Sequence, residues 1–152
     1  MTTTRAISPP ISAILEEFFA SYLPGASGVV RARIDAVRTD LETHLEVEGP
    51  RILTPAQRAI LSTEKQFAPA SAFVRTMHAD DLYYALQHYL EPVHAMAGTE
   101  LHTAQLDVVA ALAASLWNQR LLSERNVSEC TVIEFEIALT RARDLLKKAS
   151  VA

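Results

Sequence analysis

The stretch LHTAQLDVVAALAASLWNQRLL, residues 101–122, decides the fold class of this chain. Almost every residue in it is a good helix former, and its apolar side chains recur at the 3.6-residue period of a helix. On a helical wheel they occupy two adjoining sides, one of which includes Trp117, and leave only a narrow polar stripe. A helix that is apolar nearly all round is buried. We therefore expect a buried helix near residues 100–123 at the centre of the fold.

Regular apolar spacing also predicts helices before this stretch. Ser8 followed by Pro9 is typical of an N-cap and a first helical position, so the first helix is predicted to begin there. Apolar residues between Val30 and Leu45 recur at helical spacing and predict a second helix, which Gly49–Pro50 would end. Residues 1–7 lie outside these patterns and are predicted to form a flexible tail.

The clearest helix start in the sequence is Thr54–Pro55–Ala56–Gln57. A threonine followed three residues later by glutamine forms a capping box, in which the two side chains satisfy backbone N–H groups. This motif predicts a third helix that extends to about Gln66. The following region, 67–79, is broken by Pro69 and predicts at most a short helix around residues 72–77.

Three further helix starts follow from capping residues. Asp80 is predicted to cap a fourth helix, which Pro92 kinks or ends. Thr99 is predicted to cap the central helix. Ser128 is predicted to cap the last helix, which extends to about Ala149.

The sequence thus predicts an all-α protein, because no segment shows the alternation of a β-strand. We expect a single compact domain over residues 8–149, with five or six helices in an irregular bundle. The 152 residues are 49% apolar and include one cysteine, which fits one ordinary core and excludes a disulfide scaffold. The net charge of −4 makes nucleic-acid binding unlikely. Without an apolar run of spanning length or a signal-peptide pattern, we expect a cytoplasmic protein with no membrane partner.

The last predicted helix carries two apolar strips on opposite sides. Ile133 and Ile137 lie one turn apart, away from the broad core face. Either another helix of the same chain covers them, or they form the contact of a homodimer. The predicted core face of this helix consists of Val132, Phe135, Ala138, Leu139, Ala142 and Leu146.

The predicted fourth helix presents an aromatic residue and an imidazole opposite its leucine-rich face. Tyr84 and His88 are four residues apart, and Asp81 lies on the same side. Such residues on a solvent-facing side are candidates for recognition of a partner. The alternative is that the segment 67–79 folds over them.

Five histidines raise the question of a metal site. Glu91 and His94 have the Glu-x-x-His spacing of carboxylate-bridged di-metal bundles, but the chain contains no second such motif. Asp80 and Asp81, which follow His78, have a simpler role at a helix start. We therefore assign no catalytic, cofactor-binding or metal-ligating residue from the sequence.

We interpret two further side chains, His44 and Cys130, as structural and not functional. His44 falls at the edge of the apolar face of the second helix and is interpreted as a hydrogen-bonded residue at the rim of the core. Cys130 lies near a helix start, a position where reactive thiols occur, but the spacing identifies no activating base. We interpret it as an unreactive thiol.

The first, second and fourth predicted helices, with Asp80 opening a leucine-rich face, resemble the helical core-binding domains of tyrosine recombinases. The resemblance covers about half of the chain and would imply DNA binding. The acidic balance of the chain does not favour this, and the family is not assigned.

The prediction for function is a small helical protein that acts through protein–protein contact, as a homodimer. Two alternatives remain open. The first is an accessory nucleic-acid-associated domain that uses the cations of the last helix, which are Arg141, Arg143, Lys147 and Lys148. The second is a protein that binds a metal or small molecule with ligands among His78, Asp80, Asp81, His88, Glu91 and His94.

Overall fold

The computed structural model describes residues 8–151, so the predicted tail over residues 1–7 lies outside the described residues. Within the described range the chain is all-α: it contains no strand, and none of its helices is long and apolar enough to cross a membrane. Two short 3-10 helices, Gly49–Ile52 and Pro92–His94, lie between the α-helices. The seven α-helices are α1 (Ile11–Tyr22), α2 (Gly28–Val47), α3 (Pro55–Phe67), α4 (Ala72–Thr76), α5 (Ala79–Tyr89), α6 (Thr99–Asn118) and α7 (Glu129–Val151).

Helix α6 occupies the centre of the fold, as its sequence predicts. It packs against α2, α5 and α7, and Leu112 and Leu116 are completely buried. The helix ends at Asn118, earlier than predicted, because Arg120 adopts a left-handed conformation that turns the chain. The prediction that Trp117 is buried is wrong: this side chain is 55% exposed at the end of the helix.

The number of helices exceeds the prediction of five or six because α4 forms within the segment 67–79. The carboxylate of Glu46 in α2 accepts hydrogen bonds from the backbone N–H groups of Phe73 and Val74, at 3.2 and 3.3 Å. The ring of Phe73 also lies directly against Gly49, where a Cβ atom would come within 2.6 Å of it. Tertiary contacts with α2 therefore stabilise a helix that local sequence favours only weakly.

Two predicted helix starts are confirmed. At α3, Thr54 Oγ1 accepts from the N–H of Gln57 at 3.2 Å, and Gln57 Oε1 accepts from the N–H of Thr54 at 3.0 Å. At α7, Ser128 Oγ accepts from the N–H of Thr131 at 3.3 Å. Both helices therefore begin where a side-chain oxygen satisfies an otherwise unpaired backbone donor.

Three other helix starts differ from the predictions. Helix α1 begins at Ile11 rather than beside Ser8. Thr99 lies inside α6, and Gly98 precedes the helix with a φ of 92°, which glycine adopts without strain. At α5, Asp81 rather than Asp80 accepts a hydrogen bond from the N–H of His78, at 3.1 Å. The carboxylate of Asp80 is instead used by the loop that precedes α7.

Helix α7 closes the core with the predicted inner face. Phe135, Leu139 and Ala142 are buried against the rest of the domain. On the opposite side, Ile133 is 58% exposed and Ile137 is 45% exposed. The first alternative, that another helix of the same chain covers these two isoleucines, is therefore not seen in the described residues.

Candidate metal centre

Three histidines from three different elements meet at one side of the bundle. His44 lies near the end of α2, His88 in the last turn of α5, and His94 at the end of the 3-10 helix that follows α5. Their ring centroids are 4.5 Å (His44–His94), 4.9 Å (His88–His94) and 5.4 Å (His44–His88) apart. The rings therefore surround a common point, and we call these three residues the histidine centre.

The spacing of the ring nitrogens is close to that of a metal site. His44 Nε2 and His88 Nδ1 are 3.5 Å apart. Two nitrogens bound to one tetrahedral zinc ion at about 2.0–2.1 Å are separated by roughly 3.3 Å. One nitrogen from each of the three histidines can be chosen so that all three lie within 4.8 Å of one another.

His44 is the buried member of the histidine centre and has the most perturbed environment. Burial is the main reason that its pKa falls to about 4, and the neighbouring His94 and His88 lower it further. The carboxylates of Glu48 and Asp40 act in the opposite direction but do not compensate. His44 is consequently a neutral imidazole at pH 7, which is the form that binds metal ions.

A carboxylate lies near the ring nitrogen of His88 that does not face His44. Glu91 Oε2 lies 3.7 Å from His88 Nε2, while Nδ1 of the same ring faces His44. In metal sites, the ring nitrogen that does not bind the ion commonly faces a carboxylate, which fixes the tautomer and increases the basicity of the ligand. Glu91, the glutamate of the Glu-x-x-His spacing, therefore lies next to His88 and is not a member of the three-histidine group.

Gln105 of α6 holds the segment that carries His94. This glutamine is buried, its Nε2 donates to the carbonyl of His94 at 3.0 Å, and its Oε1 accepts from the N–H of Met96 at 2.9 Å. The two bonds satisfy both ends of a buried amide. The central helix thus fixes the backbone position of the third histidine.

A tyrosine and an aspartate lie beside His44. The Tyr89 hydroxyl donates to Asp40 Oδ2 at 2.5 Å, and the Tyr89 ring is 4.8 Å from the His44 ring. Burial, followed by the hydrogen bond to Asp40, raises the pKa of Tyr89 well above its usual value of 10.0. Tyr89 therefore remains protonated and fixes the carboxylate near the histidine centre.

Solvent reaches the histidine centre through an open pocket with a volume of about 330 Å³. Its wall combines His44 and His94 with carboxylate and phenol groups, so a cation that enters meets several potential ligand atoms. The polar residues that line this pocket are Asp40, Thr43, His44, Glu48, Tyr89 and His94.

The structure separates the recognition residues predicted on α5. His88 belongs to the histidine centre, whereas the Tyr84 hydroxyl donates to the carbonyl of Asn126 in the loop before α7. Asp81 binds the N–H of His78 and the side-chain amide of Gln57, the latter at 2.8 Å. These three residues therefore contact different neighbours, and of the neighbours named here only His78 belongs to the segment 67–79.

Other residues singled out in the sequence have structural roles or lie apart. Asp80 accepts from the N–H of Ser123 at 2.8 Å and from Asn126 Nδ2 at 2.9 Å, so it holds the loop before α7. Cys130 is exposed on α7. Among the cations at the end of α7, Arg143 lies 4.0 Å from Asp107 of α6. None of these residues joins the histidine centre.

Sequence reasoning missed His44, which contributes the buried imidazole. The available signal was local: Asp40 and Glu48 lie one turn before and one turn after it on α2, so the residue is flanked by acids at the edge of an apolar face. The proximity to His88 and His94 depends on the tertiary fold. No protein-family model, curated protein or solved structure matches this chain.

Proposed function

We propose that this protein binds a divalent transition-metal ion, with zinc as the best fit, through His44, His88 and His94. The observation that carries the proposal is the convergence of three imidazoles from α2, α5 and the following 3-10 helix around one point. Imidazole nitrogen is a preferred ligand of zinc, copper and nickel. Three such ligands leave one tetrahedral position for solvent, as in many zinc sites with an accessible ion.

The surroundings of the histidine centre support a cation more than a purely structural role. Two of the imidazole nitrogens approach to 3.5 Å, which is long for a hydrogen bond, but the same distance suits two lone pairs directed at one ion. Glu91 lies behind His88, and Asp40 and Glu48 flank His44 on the pocket wall. Imidazole ligands with carboxylates close to them are typical of a bound divalent ion.

Isothermal titration of the purified, metal-stripped chain with Zn²⁺ tests this proposal. We expect one ion per chain, and we expect His44→Ala and His94→Ala each to abolish stoichiometric binding. His102→Ala is the matched control, because His102 lies on α6 outside the histidine centre, and this variant should bind zinc like the original chain. Absence of stoichiometric zinc, or an equal loss in the control, would contradict the proposal.

A second substitution tests the role of the carboxylate behind His88. Glu91→Gln keeps the size of the side chain but removes its charge, and we expect zinc affinity to fall about 10- to 100-fold with the stoichiometry unchanged. Glu100→Gln, which removes a carboxylate paired with Arg33 on the surface, is the control. If both variants bind zinc equally well, Glu91 does not act on the site.

A second candidate function is protein–protein contact, which the exposure of Ile133 and Ile137 favours. Exposed apolar residues that adjoin on one helix face commonly belong to an interaction surface. This function does not require the metal ion, because the two isoleucines lie on α7 and the histidine centre involves α2, α5 and the segment after α5.

A further inference from the structure

The outer face of α7 combines an exposed apolar strip with an asymmetric distribution of charge. Ile133 and Ile137 form the strip, and both are about half exposed. Beside it runs a groove between α6 and α7 whose wall includes the exposed Trp117 as well as Val132 and Glu136. Large apolar groups that adjoin on one exposed helix face are candidates for a surface that a partner covers.

The charged residues of α7 are mainly acidic before Ile137 and mainly basic after it. The half before Ile137 carries three glutamates, and the half after it carries four basic residues and one aspartate. These charged residues are Glu129, Glu134, Glu136, Arg141, Arg143, Asp144, Lys147 and Lys148. In an antiparallel pairing of two copies, the acid at the start of one helix, Glu129, can lie opposite a base beyond the strip of the other, Arg141.

We infer that α7 pairs with α7 of a second copy of this chain. The two helices are antiparallel, and the two-fold axis crosses the outer face of α7 at the level of Phe135. In this register Ile133 faces the partner's Ile137, and Glu129 faces the partner's Arg141. Cys130 faces the partner's Thr140. Each contact occurs twice because of the symmetry, as an isologous interface requires. The inference names the partner for the protein-contact function proposed above and is independent of the metal ion.

The exposed positions on α7 favour this register over its neighbours. Helical geometry places Cys130, Ile133, Ile137, Thr140 and Arg141 on one side, and all five are exposed. A shift of the pairing axis by half a turn, to Ile137, would place Ile133 opposite the partner's Arg141 and bury a cation against an apolar side chain. Two isoleucines per chain form a small apolar area, so we expect a reversible dimer with a dissociation constant in the micromolar range.

Sedimentation velocity of the full chain is the first test. The chain should be largely dimeric at about 100 μM. Ile133→Asp combined with Ile137→Asp should give a monomer with unchanged helix content by circular dichroism, because both side chains are exposed within one chain. A monomeric original chain at this concentration would overturn the inference and leave a different protein as the occupant of the strip.

Charge reversal tests the register. Arg141→Glu alone and Glu129→Arg alone should each weaken the dimer at least about tenfold, because each creates two like-charged pairs across the axis. The double variant restores opposite charges, and its dissociation constant should return to within about threefold of the original. Arg143→Glu is the matched control, because Arg143 lies toward Asp107 of α6 and should leave the dimer unchanged. Failure of the double variant to restore dimerisation would overturn this register.

Cross-linking provides an independent measurement of the same register. Thr140→Cys should form an intermolecular disulfide with the native Cys130 of the partner under mild oxidation, because the inferred pairing places these positions opposite each other. Asp144→Cys lies one turn further along α7 and should cross-link much more slowly. Preferential cross-linking of Asp144→Cys would move the axis toward Ile137 and overturn the pairing proposed here. Zinc titration of each variant separates a failure at α7 from a failure at the histidine centre.

Discussion

The histidine centre and the α7 strip are both small groups of side chains, but the chain builds them in opposite ways. The histidine centre gathers polar residues that are up to 50 positions apart, and it buries one of them. The α7 strip consists of two apolar residues one turn apart, and it leaves both exposed. His44 is thus a polar side chain that is buried, whereas the two isoleucines are apolar side chains that stay exposed.

The two regions differ in what completes them. A buried imidazole loses its hydrogen bonds to water on folding, and an ion that binds its lone pair compensates for this loss. An exposed isoleucine keeps apolar surface in water, and another apolar surface removes it. We therefore expect an ion to complete the histidine centre and a protein surface to cover the α7 strip. Variants that affect one region and spare the other test whether this division is correct.

The largest expected effect is on α6, which supports both regions. Gln105 of this helix holds the segment of His94, and α7 packs along the same helix. Leu112→Ala removes a completely buried leucine and should lower the free energy of unfolding by about 2–5 kcal/mol.

Leu145→Ala is the control for this measurement, because it deletes the same atoms from a side chain that is 48% exposed on α7. We expect a loss below about 1 kcal/mol in urea unfolding. Similar losses for the two leucines would contradict the central position of α6 and the common support of both regions.

The fold was largely predictable from the sequence because its signals are local. The apolar pattern of α6, which is confirmed except at Trp117, and the confirmed capping box at Thr54 depend on neighbours within a few positions. Helix α4 was only weakly predicted because its stabilising contact, the carboxylate of Glu46, lies 27 residues away along the chain. The early end of α6 depends on the left-handed Arg120, which has no sequence signal comparable to glycine.

The candidate metal centre was only partly predictable for the same reason. His88 was predicted as a recognition residue and His94 as part of a Glu-x-x-His spacing, but their common neighbour His44 comes from a helix that ends more than 40 residues earlier. Spacing along the chain reveals metal ligands when they share one helix or loop, and these three share neither. Ile133 and Ile137 share one helix, so their common face followed directly from the 3.6-residue period.

The next largest effect separates the two regions by their response to zinc. At free Zn²⁺ about 100 times above its dissociation constant, the free energy of unfolding should rise by about 2.7 kcal/mol, because the ion binds the folded chain. His94→Ala should lose this gain, whereas Ile137→Asp should keep it. Urea unfolding with Zn²⁺ and with a chelator measures the difference.

Two results would contradict the division between the regions. A zinc-dependent gain that persists in His94→Ala would place the ion elsewhere in the chain. A gain that disappears in Ile137→Asp would show that the α7 strip and the histidine centre are coupled, although no described contact joins them. Either result would replace two independent regions with one.

The last expected effect appears only at alkaline pH and concerns the inner face of α7, directly behind the exposed strip. The Tyr83 ring stacks on Phe135 with centroids 4.8 Å apart, and the side chain is almost completely buried. Burial is the main cause that raises the pKa of Tyr83 from 10.0 to about 12, and Glu136 adds to it. The folded chain therefore retains a proton that the unfolded chain releases above pH 10. This contribution to stability is complete below pH 10 and is lost as the pH rises toward 12, by at most about 2–3 kcal/mol.

Tyr83→Phe keeps the stacking and removes the titrating group, so its unfolding free energy should fall less steeply over this pH range, as measured by urea unfolding at several pH values. Ile137→Asp should show the same alkaline slope as the original chain, because the outer face of α7 does not bury Tyr83. Identical slopes for Tyr83→Phe and the original chain would mean that the inner face of α7 opens to water before tyrosine ionises, and the contrast between its two faces would fail.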